Sequence, residues 1–583
     1  MEFRNRRSSS ANLMTRRRQP SRRSLLLSGC LAFGACRRAR NRYFGDTTPP
    51  TTRRLVFEGG SEPGSLDPAQ SMLDVETFVQ PALFEGLTAL HPLSGAPIAG
   101  LATHYEAAQT GTRFTFYLRG HGAPRGIRLT DSSHLPEEYS RGRVAVDDSV
   151  AALWSDGRRI TADDFVYAWQ RIKAPRTAAF LAPVYFTGIR DARALDEFTF
   201  QVDLSEPNPI FIQFLWMPAF AAVPRHAIEA SKSAGRESAW TVPRRMVSSG
   251  PFVLDQWLPR NQIVLRRNPL YYDAPAVSLD ELVFLPTVDG ATLVNLYKFG
   301  EAQITDVRVI PHVYVPAVAD ARDSRRLDGF RSVWLSVNTT RPPLDNVLVR
   351  YALNLAIDRA AIARALGGGR IPARGYVPLL PGYSPLATLP FSLNGQPCDL
   401  LSFNPEAARA LIAHTGRTDP MRIAFTFPQD AVTKQIGEIV VQQWRSVLGV
   451  ECSLNVQERA AYWAQSCLMR LYDGVVRDEW TPAVADPYDF LLQFGPAQNA
   501  CAAWADKEYD RMLAVANSTL NPAERMHKLA DVEAYLLRQM PLFPLYYDSW
   551  LSLQKPYVRG IPLNPLGWPI FKYAWIDTQW RDV

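Results

Sequence analysis

From Leu55 onward, short stretches that alternate apolar and polar residues are interspersed with stretches whose apolar residues recur every three or four positions. A period of two suits half-buried strands and a period of 3.6 suits amphipathic helices, so the pattern predicts an α/β chain. Residues 114–118 alternate as a strand. Residues 161–171 predict a helix: Thr161 supplies an N-cap, Asp163 and Asp164 place negative charge in the first turn, and Phe165, Ala168, Trp169 and Ile172 share one face. Asn346 to Ala365 predicts a second helix, with Val349, Leu353, Ala356, Ile357 and Ala361 on its buried stripe, and Glu438 to Leu448 a third, closed by Gly449. Between Gly120 and Asp148 the periodicity gives way to Gly, Pro, Arg and Ser, which predicts an irregular surface insertion. At 583 residues the chain is too long for one hydrophobic core, so two or three packing units are expected. After the first 36 residues no stretch approaches the roughly 20 uninterrupted apolar residues of a membrane-spanning helix.

The net charge of +7 does not make the body basic. The first 35 residues hold eight arginines against one acid, Glu2, and account for all of the excess. A phosphate-binding surface, and with it a nucleic-acid partner, is therefore not expected. The same segment reads as an export leader: Arg22-Arg23 precedes an apolar run from Leu25 to Ala35, and Cys36 follows. The Arg pair fits the twin-arginine route as well as an ordinary basic leader. Residues 1–35 are expected to be a signal peptide and 36–52 a flexible tether. Two cysteines compete for lipidation. Cys30 has the better local pattern, but a cut there leaves only Leu25 to Leu27 as an apolar core, so Cys36 is favoured; a plain secretory cut is the alternative. The later cysteines, Cys398, Cys452, Cys467 and Cys501, lack metal-type spacing, and their pairing after export stays open. The eight histidines form no HExxH pattern, and no GxSxG or GxxxxGK[ST] occurs, so no catalytic residue, metal or cofactor is expected.

Several blocks, taken in order, carry a resemblance. They are Glu62-Pro-Gly-Ser-Leu-Asp-Pro68, Leu83-Phe-Glu-Gly-Leu-Thr88, Trp154-Ser-Asp-Gly157 with Thr161 to Val166, Ser249-Gly-Pro-Phe-Val-Leu-Asp-Gln-Trp257, and Ile263-Val-Leu-Arg-Arg-Asn-Pro-Leu-Tyr-Tyr272. Ala356-Ile-Asp-Arg359, Gln443-Trp444 and Met540-Pro-Leu-Phe-Pro-Leu-Tyr-Tyr547 continue the series. From Leu55 to Ile576 the chain resembles the oligopeptide- and dipeptide-binding proteins of ABC importers, the extracytoplasmic solute-binding proteins of family 5. The resemblance implies a two-lobed periplasmic-binding-protein fold of the large peptide-binding class, with an extra subdomain in lobe I and hinge closure around ligand. The implied boundaries are 53–85 for the first part of lobe I, 86–224 for the subdomain with its insertion at 120–148, 225–330 for the rest of lobe I, 331–546 for lobe II, and 547–583 for a return to lobe I. It implies a monomeric receptor without catalysis that takes peptides to permease subunits, held at the cell envelope by its lipid anchor. A non-peptide ligand, a cell-wall peptide or a sensor role fits the same fold.

The resemblance also places the ligand. Its peptide-binding members carry Gly-Trp-x-x-Asp, whose Asp pairs with the peptide ammonium. Here Trp480 matches the Trp, and Ala483 stands where the Asp belongs. Losing one member of a buried charge pair typically costs about 2–5 kcal/mol, so something must compensate. Asp486, Asp478 or Glu479 supplies a displaced carboxylate, or the ligand lacks a free amino terminus; the displaced carboxylate is favoured. Arg477 matches a position that faces a ligand carboxylate in some members. Ser71, Met72 and Leu73, within the loop Gln70 to Asp74, and Phe180 with Leu181 match cleft-lining positions, whereas Asn295 fits a backbone-satisfying role.

Overall fold

The computed structural model describes residues 42–71, 76–131, 134–140, 146–177, 179–287, 289–306, 310, 314–384, 386, 388–393, 395–496 and 500–582. The segment expected to be a leader, with Cys30 and Cys36, lies outside the described residues, as do Met72, Leu73 and Asp74.

Three sheets organise the chain. The first has the order Ile304–Thr305, Arg54–Glu58, Glu281–Leu285, Gln262–Arg267, Phe252–Leu258. Its strand Arg54–Glu58 runs parallel to both neighbours, and the remaining pairs are antiparallel. The second is wholly antiparallel, in the order Ile127–Arg128, Ala102–Ala107, Arg113–Leu118, Thr199–Leu204, Ile189–Asp196. The third has six strands: Ile371–Pro372, Leu542–Leu553, Ser324–Val337, Val475–Trp480, Arg422–Pro428, Glu451–Gln457. The first two sheets share one continuous core, so the subdomain is an extension of lobe I. The third sheet builds lobe II around a separate core.

The lobes are joined by the two longest strands. Ser324–Val337 and Leu542–Leu553 pair antiparallel from Ser324↔Leu553 near lobe I to Ser336↔Leu542 inside lobe II. The register shifts between Asp328 and Ser332, which interrupts the ladder where the chain passes between lobes. Beyond the crossing, the C-terminal segment returns to lobe I, where Phe571 and Trp568 meet Phe57 and Phe78 edge-on at 5.3 and 5.8 Å. That return requires Gly567: its φ is +71°, and a Cβ there would lie 1.4 Å from the Trp550 ring.

The helices follow the local signals with informative differences. Ala162–Lys173 buries Phe165, Ala168, Trp169 and Ile172, and the Asp164 carboxylate accepts the Thr161 N–H at 3.0 Å. The single helix expected over 346–365 is two, Val347–Leu355 and Arg359–Leu366. Asn346 caps the first, and Asp358, accepting the Ala361 N–H at 2.9 Å, caps the second. The break shifts the phase, so Ile362 and Leu366 are buried and Ala361 is only half-buried. Ala431–Leu448 starts seven residues before the expected Glu438, at the Asp430 cap. Gly437 is not a stop there: a Cβ would meet Leu454 at 3.1 Å and Phe425 at 3.3 Å, so the glycine lets the helix lie close on the sheet.

The described residues of the insertion at 120–148 are more ordered than their composition predicts. Ile127–Arg128 extends the subdomain sheet, and Leu135 and Tyr139 pack on Tyr573. Arg119, 2% exposed, anchors both ends by donating to Gly100 O at 2.9 Å and to Asp148 Oδ1 at 3.1 Å, and its guanidinium lies 3.9 Å over the Tyr272 ring. Cys467 and Cys501 form a disulfide, while Cys398 and Cys452 are free thiols. Among the described residues no helix is long and apolar enough to cross a membrane, and no His/Cys/Asp/Glu group suits a metal ion.

Candidate functional site

The strand Val475–Trp480 lies between Ser324–Val337, with Trp334 opposite Asp478, and Arg422–Pro428. Alternation along it sends Arg477 and Glu479 to one face and Asp478 and Trp480 to the other. The Asp478 carboxylate is buried and accepts from Ser336 Oγ at 2.8 Å, the Cys501 N–H at 2.8 Å and the Glu479 N–H at 2.9 Å. Burial still pushes its pKa up, to about 6, because these donors only partly offset the lost hydration. On the opposite face Glu479 is held between Arg331 and Arg477. On opposite faces of this strand, Arg477 Nε and Trp480 Nε1 are each buried with no acceptor among the described residues, as is Arg525 Nε nearby.

After Trp480 the chain leaves lobe II and touches lobe I. Ala483 and Val484 are buried in the lobe I core. Trp216 Nε1 donates to Ala483 O at 3.2 Å. Tyr185, from the short helix Ala182–Tyr185 of the subdomain, donates its hydroxyl proton to Asp489 Oδ1 at 2.9 Å. Asp489 Oδ2 accepts the Ala483 N–H at 2.6 Å and the Val484 N–H at 3.4 Å. Asp489 is therefore both the brace of the 483–489 loop and its hydrogen bond to lobe I. Full burial pushes its pKa up to about 7 despite these donors.

Asp486, expected as a displaced ligand carboxylate, is engaged elsewhere. Its oxygens accept from Arg525 Nη1 at 2.7 Å and Nη2 at 2.9 Å, both side chains at most 4% exposed, and it caps the helix Pro487–Leu491 through the Tyr488 N–H. Freeing it for a ligand would leave the Arg525 guanidinium buried and unpaired, which costs far more than a ligand contact returns. Asp478 is caged in lobe II and Glu479 lies between two arginines, so none of the three carboxylates weighed from the sequence is unpaired.

On lobe I, Ser71 is buried and donates its hydroxyl to Gln80 Oε1, which ties the loop to the helix Glu76–Leu83. Phe180 and Leu181 are half-buried just before the helix that carries Tyr185, and Leu181 packs on the lobe I core. Asn295 sits exposed on the helix Gly290–Lys298. Trp480 is half-buried against the lobe II core. Sequence reasoning missed Tyr185, Trp216, Asp489 and Arg525. Asp489 carried one signal, its position three residues beyond Asp486; the others pair across up to 304 positions and carried none.

A mixed sheet in each of two lobes, two long strands crossing between them, and a lobe II loop that meets lobe I beside Trp480 define a two-lobed solute-binding receptor. The family comparison agrees: residues 151–500 match the model for bacterial extracellular solute-binding proteins, family 5 Middle, and the chain belongs to that family. It is similar to the probable deoxycholate-binding periplasmic protein YgiS of Escherichia coli, 28% identical over 90% of this chain and 93% of that one. It is also similar to the periplasmic oligopeptide-binding protein OppA of Salmonella typhimurium, 28% identical over 87% and 89%. The solved structure of the E. coli murein tripeptide-binding protein MppA shares the fold, with a TM-score of 0.75, 24% identity, and coverage of 91% of this chain and 99% of that one.

Proposed function

We propose that the chain is the solute-capturing receptor of an ABC importer, which encloses oligopeptides between its lobes and hands them to the membrane permease without catalysing a reaction. One observation carries this reading: the 483–489 loop of lobe II meets Tyr185 and Trp216 of lobe I beside the strand that holds Arg477 and Trp480. Relatives named for oligopeptide binding support the ligand class. Arg477, Trp480 and Ala483 from lobe II and Ser71, Met72, Leu73, Phe180 and Leu181 from lobe I line the ligand in this reading. The leader exports the chain to the periplasm, and Cys36, or Cys30, anchors a monomer by its lipid. A second reading, a non-peptide amphipathic acid in the same cleft, is favoured by Ala483 and by the relative named for deoxycholate binding.

The test is to purify residues 42–583, denature the protein and identify the released small molecules by mass spectrometry. Recovery of peptides of mixed sequence is expected. A single non-peptide compound would overturn the peptide assignment and leave the receptor standing. If nothing is released, a peptide panel must raise the melting temperature by mass action, and a flat response sinks the reading.

A further inference from the structure

We propose that the disulfide between Cys467 and Cys501, together with Tyr462, is a positioning unit for ligand capture: it holds the Arg477–Trp480 half of the lobe II strand in its binding geometry. The inference rests on the receptor reading above and concerns what keeps that site in shape.

The strand Val475–Trp480 is supported unequally on its two edges. Towards Ser324–Val337 it is paired along its whole length, from Val475↔Val337 to Trp480↔Ser332. Towards Arg422–Pro428 the ladder holds only Phe425↔Val475 and Thr426↔Val476. From Arg477 onward, no strand lies on that edge among the described residues. A strand edge left in this way gives up the main-chain bonds that would fix it.

A short segment takes over there. Tyr462–Leu468 forms a wide π-helical turn, and the Tyr462 hydroxyl donates to Arg477 O, the first carbonyl beyond the ladder. Such turns are rare and recur at functional sites. One residue further on, the Cys501 N–H donates to the Asp478 carboxylate at 2.8 Å. The disulfide Cys467–Cys501 joins these two grips on the strand. With Tyr462, Tyr472 and Val476 the two cysteines make a core of five buried residues, separate from the main core of lobe II. So small a core does not hold a segment by burial alone, and Leu468, Met469 and Leu471 beside it are exposed. The covalent bond supplies what packing does not. Tyr472 Oη, donating to Cys501 O at 2.9 Å, and Arg470 Nε, donating to Ala502 O at 3.0 Å, complete the unit.

The disulfide also closes a ring. Its cysteines are 34 positions apart, and between them lie the strand itself, Ala483 and Asp489. The strand that carries Arg477 and Trp480, and the loop that touches lobe I, therefore stay tethered to their support when the lobes part. Both cysteines are at most 3% exposed, so the bond is a fixed part of the site. Preorganisation of this kind raises affinity because less ordering remains to be done on binding.

The experiment uses the chain from residue 42 in three forms: unmodified, Tyr462→Phe, and Cys467→Ser combined with Cys501→Ser. Amide exchange is read along 475–480 in the ligand-free proteins, and binding of a randomised tetrapeptide pool is read by equilibrium dialysis. Tyr462→Phe keeps the ring, its packing and the disulfide, and removes only the hydroxyl. Exchange at 477–480 should rise by about tenfold, while 475–476, which keep their neighbouring strand, should not change. Affinity should fall by about fivefold or more, because the strand holds its binding geometry for a smaller fraction of the time. The double serine variant should show the same split with larger changes; if it does not fold, Tyr462→Phe decides. A general loss of packing would raise exchange along the whole strand and in Arg422–Pro428 alike. That result, or unchanged exchange at 477–480, overturns the inference, as does a raised exchange there with unchanged affinity. If the unmodified protein binds no peptide, the peptide assignment falls, whereas the split in exchange needs no ligand and still supports or overturns the positioning role.

Discussion

Replacing Tyr185 by Phe removes one hydroxyl and tests whether the loop at 483–489 latches the two lobes. The hydroxyl donates across the lobe boundary to Asp489 Oδ1 at 2.9 Å, and the carboxylate is wholly buried. A hydrogen bond to a charged group contributes about 1.5–3 kcal/mol, against about 1 kcal/mol for a neutral pair. When the lobes part, water replaces both partners, so the loss falls on the joined form. At pH 8, above the Asp489 pKa of about 7, the carboxylate is mostly ionised and the larger figure applies. The joined form should then lose about 10- to 150-fold in population, and at pH 5 only about fivefold. The Ala483 and Val484 N–H groups, which donate to the same carboxylate, report this directly through hydrogen exchange. Their protection in the ligand-free protein should fall by those factors, with a larger drop at pH 8 than at pH 5. Unchanged protection at both pH values would mean that the bond contributes nothing to lobe contact and would refute the reasoning.

Asp489→Asn should alter the pH dependence of stability. The folded pKa is raised from 3.8 to about 7, so between those values the native state holds a proton that the unfolded chain releases, and unfolding free energy falls as pH rises. Through this residue wild type loses on the order of 4 kcal/mol from pH 4 to pH 7, at about 1.4 kcal/mol per unit, and nothing further above that. The difference between variant and wild type in urea unfolding should therefore slope across this window and flatten above it; a flat difference throughout contradicts the burial argument. Arg525→Ala should cost about 3–5 kcal/mol, because it strands the Asp486 carboxylate at 3% exposure, and a melting temperature within a degree of wild type would show that the pair is dispensable.

The periodic stretches were legible because a strand or helix writes its buried face into its own residues. Ala162–Lys173 buried the predicted face, and its capping acid was readable at Asp164. The misjudged boundaries have local causes with tertiary origins. Gly437 reads as a break in isolation, yet in the protein it is the close approach between a helix and Phe425. Asp358 reads as a polar residue within one long helix, yet it caps a second one. The insertion lacked periodicity because its order comes from Arg119 and Tyr573 outside its own span.

The sequence by itself determined the α/β class, the order of family blocks, and the alanine at 483 where an acid is expected, since each is a property of residue type and spacing along the chain. Only the tertiary structure decided what each acid near Trp480 is doing. Whether a carboxylate is available depends on the partner that burial brings against it, and those partners come from 39 positions away for Asp486 and 304 for Asp489. Composition lists the charges, but pairing in a desolvated interior is set by distance in space, and there the acids around Trp480 are occupied.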